Sequence, residues 1–208
     1  MKNYFIKTPG LIKLFFNNWV WSFSSKEKIL YLTFDDGPTP EITNWTLEQL
    51  QQYNAKATFF CIGKNVVNHP DIYQNIINHK HAIGNHTNNH LNGYNTNTTT
   101  YLNNISLCEK NLAKKPTLFR PPYGKLKFSQ GKKLRKKGYK IIMWDVLSAD
   151  FDTSITQEKC LKNVIEHTKN GSIIVFHDSV KAQEKLKYVL PKILEFYSKK
   201  GYQFNAIH

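Results

Sequence analysis

Two aspartates side by side before a Gly-Pro turn, in Thr33-Phe34-Asp35-Asp36-Gly37-Pro38, are the first residues in the chain able to do chemistry by type and spacing. Adjacent side chains on an extended backbone point to opposite faces, so one carboxylate can bind a metal while the other faces a substrate. A capping aspartate at a turn before a helix explains one of the two acids well and both poorly. His86-Thr87-Asn88-Asn89-His90 sets two imidazoles four residues apart, a spacing that puts both on one face of a helical turn and lets them share an ion. In a chain with 8 histidines, about a third of one such pair is expected by chance, so the pair alone is weak evidence. Taken with Asp36 it supplies three ligands and leaves one position open, which describes a catalytic site; structural zinc sites are closed by four. Arg120-Pro121-Pro122-Tyr123-Gly124 is a rigid turn able to hold a guanidinium against a carboxylate and to offer a backbone N–H to an oxyanion. A purely structural turn accounts for it equally well. Trp144-Asp145-Val146-Leu147-Ser148-Ala149-Asp150-Phe151 and Ser172-Ile173-Ile174-Val175-Phe176-His177-Asp178 each run from apolar into polar residues. In isolation His177 reads as a hydrogen-bonded core histidine, but five such ends in one chain point to a shared site.

These residues must be positioned by the elements that precede them. Short apolar runs at residues 29–34, 56–62, 81–85, 117–120, 139–144, 172–176 and 202–207 read as strands. Between them Tyr101, Ile105, Cys108 and Leu112 mark one helix face, and Leu186, Val189, Leu190, Ile193, Leu194 and Tyr197 another, interrupted by Pro191 and ended by Gly201. Alternating strands and helices predict a parallel α/β sheet, and about seven such units favour closure into a barrel over an open doubly wound sheet. Loops after barrel strands converge on one mouth, which is where the five polar ends fall. The Asn/Thr tract over residues 92–100 reads as a loop, and there is no internal repeat.

At 208 residues with 40% hydrophobic and 13% aromatic content, the chain can bury one sizeable core and is neither disordered nor fibrous. We read residues 28–208 as the catalytic domain and 1–27 as an extension packed on it. The net charge of +14 points to an anionic partner. The basic residues crowd only at Lys132, Lys133, Arg135, Lys136 and Lys137, read as a solvated helix face in preference to a docking patch. No aromatics interleave that run, so no nucleic-acid partner is expected. Cys61, Cys108 and Cys160 are odd in number and widely spaced, which indicates core residues and neither a disulfide framework nor a thiolate zinc site. Lys7, Pro9, Gly10 and Lys13 break the apolar start before a secretory signal of proper length forms, and no stretch approaches the ~20 apolar residues of a membrane span. Leu11, Leu14, Phe15, Trp19 and Trp21 could instead lie on a membrane surface; packing of this segment on its own domain is the preferred reading.

The ordered set TFDDGP, HTNNH, RPPYG, WDVLSAD and IIVFHD resembles the polysaccharide deacetylases of carbohydrate esterase family 4, the NodB-homology group. The resemblance spans residue 28 to the C-terminus, and the combination is far more specific than any one piece. It implies a distorted (β/α) barrel of about seven parallel strands with the active site at their C-terminal ends. It also implies metal-dependent removal of N-acetyl groups from a GlcNAc-containing glycan such as peptidoglycan or a chitooligosaccharide, with release of acetate. Zn²⁺ is the expected ion, with Co²⁺, Ni²⁺ or Mn²⁺ as alternatives. Carried over by motif, Asp35 resembles the general base, and Asp36, His86 and His90 the metal ligands. Arg120 resembles the partner that orients Asp35, Tyr123 the oxyanion donor through its N–H, and His177 the general acid supported by Asp150. Val175 stands where the family usually has a leucine beside the acetyl methyl group. Phe151 stands where it commonly has tryptophan, which keeps an aromatic wall and loses an indole N–H. An O-acetyl esterase acting on xylan-type substrates and a catalytically inactive glycan-binding module remain the rival readings. Many relatives carry an export signal and none is read here, so the sequence by itself points to the cytoplasm, while the substrate class points to the cell envelope. A monomer is expected.

Overall fold

In the computed structural model, which describes residues 4–23 and 26–208, the alternating runs become eight strands and eight helices among the described residues. The strands are β1 (Ile29–Asp35), β2 (Ala57–Cys61), β3 (Ala82–Asn85), β4 (Leu118–Phe119), β5 (Lys140–Ile141), β6 (Val146–Leu147), β7 (Ile173–His177) and β8 (Gln203–Phe204). The helices are α1 (Gly10–Phe15), α2 (Ile42–Gln52), α3 (Gly63–Asn68), α4 (Pro70–Asn78), α5 (Thr98–Asn111), α6 (Phe128–Lys136), α7 (Gln157–His167) and α8 (Gln183–Lys199). All strand pairs are parallel, in the order β5-β4-β3-β2-β1-β7-β6, with β8 beside β1. The register sets the site: Asp35 lies level with Phe60 and His177, and Asn85 level with Cys61 and Phe119. Residues that follow these positions therefore emerge at one end of the sheet.

The sheet curls into a distorted (β/α) barrel, and the distortion has a specific place. Residues 139–144 read as one strand in the sequence, yet the strand breaks. β5 pairs with β4 at one edge of the sheet, β6 pairs with β7 at the other, and residues 142–145 cross the seam between them. Ile142 N–H donates to Phe119 at 2.8 Å, whereas Asp145 N–H already donates to Ile173 at 3.0 Å. The segment before β1 supplies the seam with its remaining backbone partners: Met143 N–H donates to Val20 (2.7 Å), Leu147 N–H to Ile6 (2.8 Å), and Thr8 N–H to Asp145 (3.0 Å). Buried main-chain groups need such partners, so a seam without this segment would leave them unpaired. Buried Asp145 adds a polar clamp, accepting from Lys7 (2.6 Å), from Lys13 and from Ser172 (2.6 Å).

Inside the curl Phe34 stacks with Phe59 and Phe176, at ring distances of 5.0 and 5.9 Å, and the three cysteines are buried free thiols. α8 buries the apolar stripe read from the sequence and continues through Pro191. The expected loop over residues 92–100 gives way to α5 at Thr98, because the Asn97 side chain accepts from Thr100 N–H (2.9 Å) and caps the helix. α6 buries Gln130, Gly131 and Leu134 and leaves Lys132, Lys133 and Lys136 exposed. Trp19 and Trp21 pack into a core cluster with Leu126, Leu134 and Met143, whereas Leu11, Leu14 and Phe15 face solvent.

Candidate active site

At the C-terminal end of β1 the two aspartates part company, as extended backbone requires. Asp35 is 4% exposed and meets Arg120, which is fully buried. Every guanidinium nitrogen of Arg120 is bonded: Nη1 donates to Asp35 Oδ1 and to Thr33 Oγ1, both at 2.7 Å, Nη2 to the Met143 carbonyl (2.9 Å) and Nε to that of Ile142 (3.2 Å). Its plane lies 4.1 Å from the Phe60 ring centre. Burial lowers the Arg120 pKa and Asp35 opposes that; a guanidinium stays charged regardless, so the contact is a buried ion pair with full hydrogen bonding. Arg120 thus orients Asp35 and ties the seam to β4 in one residue.

Asp36 turns into the left-handed region (φ 82°), where Asn65 Nδ2 donates to its carbonyl at 2.8 Å. Its Oδ1 lies 3.2 Å from His90 Nε2 and 3.7 Å from His86 Nε2, and one ligand atom from each of the three residues falls within 4.8 Å of the others. His86 Nδ1 sits 2.8 Å from the Arg120 carbonyl, an oxygen that can only accept. The proton is therefore on Nδ1 and the lone pair of Nε2 faces Asp36. Burial pushes His86 down to about 4, so it is neutral. Burial alone would raise the Asp36 carboxyl, but His90 and His177 outweigh it and hold Asp36 well below the usual carboxylate range. Buried Asp36 Oδ1 accepts no hydrogen bond from any protein group. An orphaned anionic oxygen facing two imidazole nitrogens fits a divalent cation with mixed N and O ligands.

The two histidines do not share a helical turn. Thr87 and His90 have φ of 63° and 54°, so the stretch is a loop, and its conformation comes from outside it. Asn104 Oδ1 on α5 accepts from the N–H groups of Asn88 (2.8 Å) and Asn89 (3.0 Å), and Asn104 Nδ2 donates to Asn89 Oδ1 (2.7 Å). Tertiary hydrogen bonds hold a backbone that helical i,i+4 geometry would not produce.

On the other side, His177 at the end of β7 is held twice by fully buried Asp150: Nδ1 lies 2.8 Å from Oδ1, and its backbone N–H donates to Oδ2 at 2.7 Å. Burial alone would lower the imidazole, but the Asp150 carboxylate raises it to about 9. The isolated reading of His177 as a core histidine does not apply, since it lines the cavity. Phe151 stands edge-on to His177 (5.1 Å), and Tyr4 edge-on to Phe151 (5.5 Å) with its hydroxyl donating to Asp152.

The two sides meet in one cavity of about 340 Å³, lined among others by Asp35, Asp36, His86, His90, Tyr123, Trp144, Leu147, Phe151, Val175 and His177. Val175 and Leu147 sit side by side in register and form an apolar wall. Tyr123 has φ 59° and ψ 8° in its turn, which places its exposed ring over His90, the two rings 4.5 Å apart. The cavity brings together every residue singled out from the sequence except Arg120 and Asp150, which act from behind Asp35 and His177. Contributors not singled out include Tyr4, Trp144, Leu147 and Asp178. Buried Asp178 accepts from Gly37 N–H (3.2 Å) and Thr43 Oγ1 (2.5 Å). Burial, with the charge of Asp36 adding to it, raises its carboxyl to about 8. A Cβ on Gly37 would lie 2.0 Å from Asp178 Oδ2, so the glycine after Asp36 is dictated by this contact. The position of Asp178 next to His177 was visible in sequence; its direction into the Gly37 turn was not.

A family model described as polysaccharide deacetylase matches residues 24–142. A peptidoglycan-N-acetylglucosamine deacetylase of Bacillus cereus is 35% identical over 191 residues, covering 90% of each chain. Chitin deacetylase 2 of Saccharomyces cerevisiae is 33% identical over 182 residues, covering 78% of this chain and 54% of its own. Among solved structures, a peptidoglycan N-acetylglucosamine deacetylase in complex with 4-naphthalen-1-yl-N-oxidanyl-benzamide superimposes with a TM-score of 0.88 at 31% identity, covering 96% of this chain and 95% of that one. The family 4 carbohydrate esterase of Streptomyces lividans, in complex with acetate, gives a TM-score of 0.79 at 25% identity over 87% of this chain and 93% of that one.

Proposed function

Because the chain belongs to the polysaccharide deacetylase family, we propose that it hydrolyses the N-acetyl amide of GlcNAc units in a glycan of the peptidoglycan class, releasing acetate and leaving a free amine. The observation that carries this reading is the orphaned Asp36 Oδ1 facing His86 and His90, flanked in one cavity by the Asp35–Arg120 and His177–Asp150 pairs. Asp36, His86 and His90 would hold one divalent ion, for which we propose Zn²⁺. Such an ion supplies Lewis acidity and lowers the pKa of nearby water.

The chain's own groups divide the remaining work. Asp35, one oxygen fixed by Arg120, takes the proton from the attacking water. The Tyr123 backbone N–H donates to the carbonyl oxygen as it gains charge. Val175 and Leu147 receive the acetyl methyl group, and Phe151 and Tyr4 form a wall against the sugar. His177, kept protonated by Asp150, gives its proton to the departing amine. This last point favours the amide over the ester reading, because an amine must be protonated as it departs, whereas an alcohol depends on that proton far less. Residues 28–208 carry every group named here except Tyr4. No helix among the described residues is long and apolar enough to cross a membrane.

Acetate release from N-acetylated peptidoglycan, chitooligosaccharide and acetylated xylan tests the reading. Release from the first two with little from xylan supports it; release from xylan alone, or from none, refutes it.

A further inference from the structure

A neutral histidine that presents Nε2 to a cation carries its proton on Nδ1, and that proton needs an acceptor. His86 has one that leaves no choice, the Arg120 carbonyl at 2.8 Å. At His90 a phenol stands in the same relation, with Nδ1 3.0 Å from the Tyr123 hydroxyl. A carbonyl only accepts, whereas a hydroxyl both accepts and donates, so the Tyr123 contact suits either tautomer of His90. His90 is also the less enclosed ligand, its side chain 26% exposed against 2% for His86, and it sits in left-handed backbone at φ 54°. Its orientation therefore depends more on the group behind it. That group is held in place by its own turn. Pro121 and Pro122 restrict the backbone before Tyr123. Gly124 N–H donates to the Pro121 carbonyl (3.0 Å) and Lys125 N–H to that of Pro122 (3.1 Å), which closes the turn around Tyr123. A Cβ on Gly124 would lie 2.7 Å from the Trp144 ring, so the turn is packed against the cavity wall. Tyr123 is thereby kept at φ 59°, a conformation a non-glycine residue holds only where its surroundings enforce it.

We propose that the Tyr123 hydroxyl is a positioning group for His90, accepting the Nδ1 proton and so holding Nε2 towards Asp36 and a bound divalent cation. The inference rests on Asp36, His86 and His90 holding that ion. It gives the two histidines different footings: the backbone presets His86 as a ligand, and a side chain sets His90. It also separates two roles within one residue, since the phenol acts through His90 while the Tyr123 backbone N–H faces the substrate carbonyl.

Tyr123→Phe removes the hydroxyl and retains both the ring and the backbone N–H, which makes it the variant to test. Zn²⁺ affinity of the full chain, measured by competition with a chromophoric chelator, should fall by about 10-fold to 100-fold, the usual effect of losing a hydrogen-bond partner behind a metal-bound histidine. Half-maximal activation of acetate release should need more free Zn²⁺ by the same factor. In NMR of the imidazole N–H protons of the Zn²⁺-loaded chain, the His90 Nδ1 proton should be protected from exchange in the wild type and exposed in the variant, with that of His86 protected in both. Affinity within about two-fold of wild type overturns the proposal, as does a His90 proton equally protected in the two chains. Equal affinity with lost acetate release would hand the hydroxyl to the substrate instead. A variant that melts earlier without Zn²⁺ and keeps its His90 proton protected would make the phenol a packing group only, which also overturns the proposal. If the wild type itself binds no Zn²⁺, the metal-site reading fails together with this one, whereas equal binding by both chains refutes the role of Tyr123 alone.

Discussion

Replacing Asp150 by Asn tests the acid assigned to His177 while leaving the imidazole in place. In the wild type, burial lowers the His177 pKa and the Asp150 carboxylate reverses this to about 9. Asparagine keeps a hydrogen-bonding group at 2.8 Å from Nδ1 but removes the charge; Asp36 and Asp35 still oppose burial, so the imidazole is expected to return to about its ordinary value of 6.5. At pH 8 the protonated fraction drops from about 90% to about 3%, a roughly 30-fold loss of the acid, whereas at pH 6 the loss is less than about two-fold. The alkaline limb of kcat/KM should therefore move down by about two and a half pH units. A cation held by Asp36 offsets that carboxylate's own contribution to His177, so the displacement between the two enzymes is the quantity to read. The assay is acetate release from a chitooligosaccharide across pH 5 to 10, run beside hydrolysis of an activated aryl acetate, whose leaving group needs no acid. The same linkage bears on stability. The folded pKa is raised, so the His177–Asp150 pair stabilises the wild type fully below about 6.5, and the contribution fades as pH rises towards 9. A loss of equal size at every pH, or an equal loss on the aryl acetate, would refute proton donation and leave Asp150 only an orienting role.

Asp36→Ala and His90→Ala should each lower bound metal, read as metal per chain after dialysis; full stoichiometry with retained turnover would place the metal elsewhere. Asp35→Asn should keep the metal and lose turnover by about 10² or more, because an amide cannot take the water's proton, and activity within a few-fold of wild type would assign the base to another residue. Arg120→Met leaves Asp35 buried without its partner and should cost about 3–5 kcal/mol in denaturant unfolding; a loss below about 1 kcal/mol would mean the seam carbonyls and Asp35 find other donors. Tyr4→Ala should raise KM several-fold for oligosaccharides with kcat nearly unchanged, as expected for a wall that binds ground and transition states alike, and an unchanged KM would remove Tyr4 from the sugar path.

Much of this protein is legible from local rules. Apolar runs ending in TFDD, GNH, LFR and VFHD name the strands and their polar ends, because a buried parallel strand must be apolar along its length and its chemistry can begin only where the sheet stops. The amphipathic spacing in α5 and α8 likewise shows which faces are buried. Parallel register then makes Asp35, His86, Arg120 and His177 neighbours although they are far apart in the chain. What local rules could not supply depends on partners distant in sequence. Residues 139–144 read as one strand; pairing stops after Ile141 because the chain then crosses to the opposite edge of the sheet as β6, and only closure of the curl decides where. Spacing suggests a helical turn for His86 and His90, but Asn104 on α5 supplies the hydrogen bonds that hold a left-handed loop instead. Composition describes the segment before β1 only as apolar in patches; packing sends Trp19 and Trp21 inward, turns Leu11, Leu14 and Phe15 outward, and carries Tyr4 to the cavity wall. The sequence by itself determined which groups could do the chemistry, since side-chain type and strand period are local properties. The tertiary structure alone decided which pairs charge or orient one another, since the Asp35–Arg120 and Asp150–His177 contacts exist only once the strands stand side by side.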